Sequence, residues 1–211
     1  MRRVAVCLLI LAALASGCHR FEYPPRVSGV LRLECDGGYG SCFIVGHDGG
    51  GQFVATAAHC VDGRAIVDVL AARSTDVVAV SLVHDTALLY CVGLDGFPAY
   101  TLRGDAARLG ERCSAVGFPT HDRGFLVPRY MTGLACYPGH VTCERFGEAF
   151  LTNTGVYRGM SGGPLLDTGG NVIGIASSVL PWDGGAADST CVFRPVHALR
   201  RMLNEARKVV R

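Results

Sequence analysis

Short apolar runs separated by glycine-rich turns recur along almost the whole chain, and they restrict it to a fold built from short strands. The 211 residues include 28 glycines, and glycine or proline stands between most of the runs. The first half predicts strands at 30–33, 43–45, 52–55, 65–70, 77–83 and 87–92. The second half predicts strands at 112–117, 126–136, 149–152, 164–167, 172–178 and 191–195. This pattern alone favours an all-β sandwich or barrel.

At the end of the chain the spacing of apolar residues changes from that of strands to that of a helix. Apolar residues recur every three or four positions from Val196 through Leu199 and Leu203 to Ala206, with arginines between them. This spacing predicts an amphipathic helix over 196–211. We expect it to pack on the second group of strands; a basic helix lying on a membrane surface is the alternative.

A serine in the second half stands on a glycine-flanked turn. Gly159 leaves its own amide uncovered, Gly162 and Gly163 let the chain bend without a Cβ clash, and Pro164 cannot donate to a strand ladder. Backbone N–H groups can converge on a developing oxyanion in such a turn. A segment of this kind taken alone is equally compatible with an ordinary surface turn.

Two further segments give that turn a chemical meaning. His59 lies in the run Ala55-Thr56-Ala57-Ala58-His59-Cys60, and Asp85 precedes Thr86-Ala87-Leu88-Leu89. With Gly159-Met160-Ser161-Gly162-Gly163-Pro164, these segments resemble the three catalytic motifs of the chymotrypsin-like (trypsin-like) serine peptidase family, in the order histidine, aspartate, serine. Flanking matches extend the resemblance from about Ser41 to about Leu203. It implies two six-stranded antiparallel β-barrels with a catalytic cleft between them.

The resemblance also implies a role for each residue. His59 would take the Ser161 proton and return it to the leaving amine, and Asp85 would hold the imidazole. Asp76 is the competing carboxylate, but Asp85 directly precedes an apolar strand that would bury it. The N–H groups of Gly159 and Ser161 would form the oxyanion hole. We therefore predict a serine endopeptidase acting through an acyl-enzyme on a polypeptide substrate.

Two other functional classes fit the sequence less well than a serine endopeptidase. A non-catalytic peptide-binding or scaffold protein of the same fold usually lacks one member of the triad, whereas all three are present. An α/β-hydrolase esterase would place its histidine last and its serine between a strand and a helix. Neither condition holds here.

Met160 departs from many family members, in which an aspartate before the serine pairs with an N-terminus released by cleavage. The chain also lacks an Ile-Val-Gly-Gly-like activation site before the first strands. We therefore expect an enzyme that is active without zymogen cleavage.

The specificity pocket is predicted from the same resemblance. Its wall falls near Gly155 and Val156, and the facing strand includes Ser177, Ser178 and Val179. Neither segment carries a carboxylate, so we predict cleavage after small or medium apolar residues with broad selectivity. Arg158 would be the residue that favours acidic side chains near the cleft.

The beginning of the chain is typical of an export signal. Arg2 and Arg3 precede an apolar run that is too short to span a bilayer as an anchor, and small residues lead to Cys18. Cys18 is either lipidated or follows an ordinary cleavage site. We favour lipidation, which predicts an exported lipoprotein in a bacterial outer membrane, facing the periplasm or the cell surface; a secreted protein is the alternative.

The cysteine count fits export. Of ten cysteines, Cys7 leaves with the signal and Cys18 takes the lipid, so an even number remains. We predict disulfides among them, of which the family resemblance implies Cys42–Cys60. Cys136 and Cys143 flank a turn that could close a hairpin, while the pairing of Cys35, Cys91, Cys113 and Cys191 stays open because the number of pairings is large.

Other partner classes find no support in the sequence. The formal charge of +2 gives no argument for nucleic acid, and the absence of a Cys-x-x-Cys pair speaks against a zinc or iron–sulfur site. No metal and no cofactor is predicted. The predicted organisation is a signal peptide (1–17), a lipidated tether (18–28), a first barrel with His59 and Asp85 (29–95), a second barrel with Ser161 (96–195) and the helix (196–211).

Overall fold

The chain forms two antiparallel β-sheets and a C-terminal helix. This computed structural model describes residues 27–120, 128–137, 149–180 and 190–209. The first six strands are β1 Val30–Cys35, β2 Gly38–His47, β3 Gln52–Thr56, β4 Val67–Val69, β5 Ser74–Ser81 and β6 Thr86–Val92. The next six are β7 Arg112–Gly117, β8 Arg129–Tyr137, β9 Phe150–Thr152, β10 Pro164–Asp167, β11 Val172–Leu180 and β12 Thr190–Pro195. Helix α1 spans Val196–Val209.

Each sheet contains one half of the strands. The first is a curled six-stranded sheet in the order β4-β1-β2-β3-β6-β5, and the second closes into a barrel in the order β10-β11-β12-β9-β8-β7. All pairings between these strands are antiparallel. The predicted all-β fold with two six-stranded units and a C-terminal helix is therefore confirmed.

The two sheets meet through a shared apolar core. Phe43 and Phe53 from the first sheet and Val116 and Ile175 from the second belong to one cluster of buried side chains. Burying side chains of this size contributes roughly 1.5–3 kcal/mol each, so the cluster holds the two halves in a fixed arrangement. Because His59 and Asp85 lie in one half and Ser161 in the other, that arrangement decides whether they can meet.

Helix α1 packs differently from the expectation. Its apolar residues Val196, Leu199 and Leu203 are at most 5% exposed, and they join the shared cluster together with Phe43 and Leu88 of the first sheet. The helix therefore covers the junction of the two halves rather than the second barrel alone. Its buried stripe also disfavours the membrane-surface alternative. Among the residues that the structure describes, no helix is long and apolar enough to span a membrane.

Candidate active site

His59 lies where the chain leaves β3. The 3₁₀ turn Ala58–Cys60 follows Ala57 directly. Both Ala57 and Ala58 are fully buried, so this turn is pressed onto the first sheet. The imidazole itself points outward, with 48% of its side chain exposed. An exposed imidazole thus stands on a buried turn at the edge of the first half.

Asp85 occupies a tight turn immediately before β6. Its φ is 43°, in the left-handed region that aspartate tolerates better than most residues, and its amide donates to the Leu82 carbonyl (3.1 Å). Its carboxylate accepts the His59 backbone N–H (2.9 Å) and lies 2.9 and 3.0 Å from His59 Nδ1. Since an ionised carboxylate only accepts hydrogen bonds, Nδ1 carries a proton, and in the neutral imidazole Nε2 is then left as an acceptor.

The other groups considered at this position lie elsewhere. Asp76 is on β5, paired in register with Tyr90, so the carboxylate beside His59 is Asp85. His84, the residue before Asp85, lies in the turn that residues 82–85 form before β6. The His84 ring lies 5.7 Å from that of His197 in an edge-to-face arrangement, which places it against helix α1.

The contact between the two side chains shifts both pKa values. Burial raises the pKa of Asp85, but the hydrogen bonds from His59 and Ser177 and the charge of His59 outweigh it, so the pKa lies below its ordinary 3.8. The hydrogen bond to Asp85 raises the pKa of His59 above its ordinary 6.5, and the adjacent Cys60 adds to this effect. The imidazole is therefore a stronger base than an isolated histidine.

The turn that carries Ser161 depends on two left-handed glycines. Gly159 has φ 90° and Gly162 has φ 85°. A Cβ at Gly162 would lie 2.2 Å from both the Ser41 carbonyl oxygen and Thr56 Oγ1, so no larger residue fits there. The Ser161 carbonyl accepts the Ser41 N–H (2.8 Å). The turn is thus clamped against the first half of the chain.

Ser177 connects Ser161 with Asp85. Ser161 Oγ donates to the Ser177 carbonyl oxygen (3.4 Å), and Ser177 Oγ donates to Asp85 Oδ2 (2.5 Å). Within the described ranges, no hydrogen bond joins Ser161 Oγ to His59. The sequence indicated Ser177 only as part of a substrate-facing strand. The contact of its hydroxyl with Asp85 depends on the register shift of β11 against β12 between Ala176 and Ser178. No pattern in the sequence predicts this shift.

The backbone around Ser161 leaves two donors uncommitted. The Arg158 carbonyl accepts the Thr120 N–H (2.8 Å), and because a trans peptide directs C=O and N–H to opposite sides, the Gly159 N–H faces away from Thr120. The Gly159 carbonyl accepts Ser41 Oγ (2.7 Å). In the described part of the chain, the N–H groups of Gly159 and Ser161 donate to no other group. The sequence did not suggest this role for Ser41.

The predicted pocket wall is only partly described. Val156 is 7% exposed and packs in the core of the second barrel, where its N–H donates to Cys191 Sγ (3.1 Å). Gly155 is left-handed (φ 65°) and a Cβ there would lie 3.3 Å from Met131 Cε. Ser178 and Val179 continue β11, but their side chains lie outside the described part of the structure.

The predicted Cys42–Cys60 disulfide is not formed in the structure. Both are free thiols, and they point to different acceptors, Cys42 Sγ to the Leu31 carbonyl (3.5 Å) and Cys60 Sγ to the Ser161 carbonyl (3.9 Å). Cys35 and Cys91 are free thiols as well. The side chains of Cys136 and Cys143 lie outside the described residues, as does Cys18.

Within residues 27–120, 128–137, 149–180 and 190–209, no group of three or more His, Cys, Asp or Glu side chains is placed to hold a metal ion.

The sequence matches the model of the trypsin-like peptidase domain over residues 40–175. No curated protein matches the sequence.

Solved structures with a similar fold include proteases of several sources. The serine endoprotease from Yersinia pestis has a TM-score of 0.65 at 18% identity, over 84% of this chain and 62% of that one. The HtrA-type protease AlgW with tripeptide has a TM-score of 0.68 at 26% identity, over 83% of this chain and 59% of that one. An alanine mutant of Rv3671c from M. tuberculosis H37Rv, in its inactive form, has a TM-score of 0.66 at 20% identity, over 84% of this chain and 86% of that one. The chain spans about three fifths of the length of the first two.

The domain match covers the His59 turn, Asp85 and the Ser161 turn together, along with most of both sheets. The chain belongs to the trypsin-like peptidase family.

Proposed function

We propose that the protein is a serine endopeptidase that hydrolyses peptide bonds through an acyl-enzyme on Ser161. The observation that carries this proposal is the contact of His59 Nδ1 with the Asp85 carboxylate at 2.9–3.0 Å. It leaves Nε2 free to accept a proton, and Ser177 links this pair to Ser161. A non-catalytic scaffold protein of the same fold would not require a histidine held in this tautomer.

The proposed reaction begins when the Ser161 hydroxyl turns from the Ser177 carbonyl toward His59 Nε2. Oγ then attacks the carbonyl carbon of the substrate while its proton passes to Nε2. The oxyanion accepts hydrogen bonds from the N–H groups of Gly159 and Ser161. As the C–N bond breaks, His59 returns the proton to the leaving amine. A water molecule then attacks the ester in the same way, and Ser161 is regenerated.

We further propose that no activation cleavage is needed. Met160 is fully buried in the core of the second barrel, so an apolar side chain packs where many relatives have an aspartate that needs a charged partner. Thr120 and Ser41 bind the carbonyls of Arg158 and Gly159. These contacts support a Ser161 turn that is held in place by the chain as it stands.

Covalent labelling tests the proposed nucleophile. A fluorophosphonate probe should label one serine in the folded protein, because attack of an activated hydroxyl on phosphorus mimics acylation. Intact mass and peptide mapping should locate the label on Ser161. Ser161→Ala should abolish labelling, whereas Ser74→Ala, which removes an exposed hydroxyl from β5, should leave it unchanged. A folded wild-type protein that takes no label would favour the scaffold function instead.

The proposed substrates are polypeptides cleaved after small or medium apolar residues. Val156 and Gly155 bring no charge to the predicted pocket wall, and an apolar pocket discriminates by only about 1–3 kcal/mol per methylene. A peptide-library digest read by mass spectrometry should therefore show broad cleavage after such residues. A profile dominated by arginine or lysine would contradict this proposal, and one dominated by glutamate would shift the specificity to Arg158, which is exposed beside Gly159.

We also propose that lipid on Cys18 anchors the protein to the outer membrane. The support is the sequence around Cys18, since residues 1–26 lie outside the described residues. Wild-type protein made in a Gram-negative host should remain with membranes after a salt wash, because a covalent lipid is not displaced by ions. Cys18→Ser should move it to the soluble fraction. Membrane retention of the Cys18→Ser variant would refute this anchor.

A further inference from the structure

A buried arginine lies behind the Asp85 carboxylate. Arg194 is on β12, opposite Ile175 of β11, and only 3% of its surface is exposed. Directly paired residues of neighbouring strands project to the same face of a sheet. Because Ile175 belongs to the core shared by the two halves, the arginine side chain is directed toward the same junction. Arginine is rarely buried this deeply unless specific partners hold it.

One of those partners is the hydroxyl that binds Asp85. Arg194 Nε donates to Ser177 Oγ (3.3 Å), and Ser177 Oγ donates to Asp85 Oδ2 (2.5 Å). The extra residue inserted in β11 makes this possible: Ala176 pairs with Phe193 and Ser178 with Val192, so Ser177 has no counterpart on β12. A β-bulge of this kind re-aims the side chain of the unpaired residue.

The direction of these hydrogen bonds is fixed by chemistry. A guanidinium can only donate and a carboxylate can only accept, whereas a serine hydroxyl has one proton and can do both. With Arg194 occupying an acceptor position of Ser177 Oγ, the single hydroxyl proton is directed to Asp85. Without that donor, the hydroxyl could rotate and leave the carboxylate.

We propose that Arg194 is a positioning residue of the catalytic centre, acting through Ser177 on Asp85 and hence on His59. This inference rests on the proposed peptidase function. Arg194 is buried and is not expected to touch substrate; it orients the hydroxyl that holds the carboxylate, which in turn holds the imidazole. Supporting groups of this type set how accurately a catalytic residue is aimed.

Arg194→Lys tests the hydrogen bond separately from the charge. Lysine keeps the positive charge but has a methylene where arginine has Nε, so it cannot donate to Ser177 at that point. Loss of one such hydrogen bond should lower kcat for a peptide substrate about three- to tenfold, with KM unchanged. Arg103→Lys is the matched control: Arg103 is also a largely buried arginine, with 15% of its side chain exposed, but its partners are the carboxylates of Glu111 and Asp167. It should leave kcat unaltered.

A double-mutant cycle then distinguishes positioning from a merely structural role. In the Ser177→Ala background, Arg194→Lys should cause no further loss, because the hydroxyl through which it acts has gone. An equal loss in both backgrounds, a full-rate Arg194→Lys variant, or a change confined to KM would each overturn the proposal. Arg194→Met, which has a methyl group where arginine has Nε and so cannot donate to Ser177, replaces the lysine variant in the same cycle if that protein does not fold, as judged by thermal unfolding.

A readout independent of turnover separates this inference from the proposed function. The proton on His59 Nδ1 should give a downfield NMR resonance in the wild type, because it lies in the hydrogen bond to Asp85. Arg194→Lys should broaden or shift that resonance, and Arg103→Lys should not. Absence of fluorophosphonate labelling in the wild type would refute the peptidase function alone, whereas an unchanged resonance in Arg194→Lys would refute the role of Arg194.

Discussion

Ser161→Ala is expected to lower kcat for peptide hydrolysis by about 10⁶-fold, the loss seen when the nucleophile of such a triad is removed. The variant keeps the N–H donors of residues 159 and 161, so a residual rate above that in water should remain. Steady-state assays with a peptide ester and a peptide amide would measure kcat of the wild type and the variant. Thermal unfolding of both proteins would show that each is folded under the assay conditions.

The fold should tolerate this change well. The Ser161 side chain makes one long hydrogen bond, to the Ser177 carbonyl (3.4 Å), so the unfolding temperature should stay close to that of the wild type. An inactive but equally stable variant, which still binds peptide, is the expected outcome. Hydrolysis at the wild-type rate would refute the assignment of Ser161 as the nucleophile.

Asp85→Asn is expected to lower kcat by about 10⁴-fold while leaving the geometry of the site largely intact. An asparagine amide can donate to His59 Nδ1, which favours the tautomer with the proton on Nε2. That tautomer cannot accept the Ser161 proton. Asp76→Asn is the matched control because Asp76 lies on β5, opposite Tyr90, and we expect it to retain full activity.

The pH profile gives Asp85→Asn a second measurable effect. The hydrogen bond to the carboxylate raises the pKa of His59, and only the neutral imidazole can act as base. Removing the carboxylate should lower that pKa, so the acid limb of the residual kcat/KM should move to lower pH. A limb that stays in place or moves to higher pH would show that the carboxylate does not control the base.

Much of the fold was predictable because glycine positions and apolar runs are local signals. The turn at Gly159 and Gly162 has the positive φ values that only glycine adopts without strain, and the runs at 52–55 and 87–92 became neighbouring strands β3 and β6. The sequence also placed His59 and Asp85 in one half and Ser161 in the other, as the structure shows.

The remaining features depend on contacts between distant segments. The bulge at Ser177 exists only in the pairing of β11 with β12, and the clamp from Ser41 to the serine turn spans 118 positions. The sequence predicts the apolar stripe of helix α1 but not the surface on which that stripe packs. The Ser41 contact and the position of the helix depend on packing between the two halves, and the bulge depends on strand pairing within the second barrel. The spacing of apolar residues carries no information on either.

The bond from Ser41 to the serine turn has a consequence for building chimaeras from members of this family. One half of the chain supplies Ser161, yet Ser41 of the other half donates hydrogen bonds to the carbonyls of both Ser161 and Gly159. The two halves are therefore not interchangeable: a second barrel moved to another protein would bring its serine but not the Ser41 contacts that hold the serine turn. A functional graft would have to carry the matching strand from the donor as well.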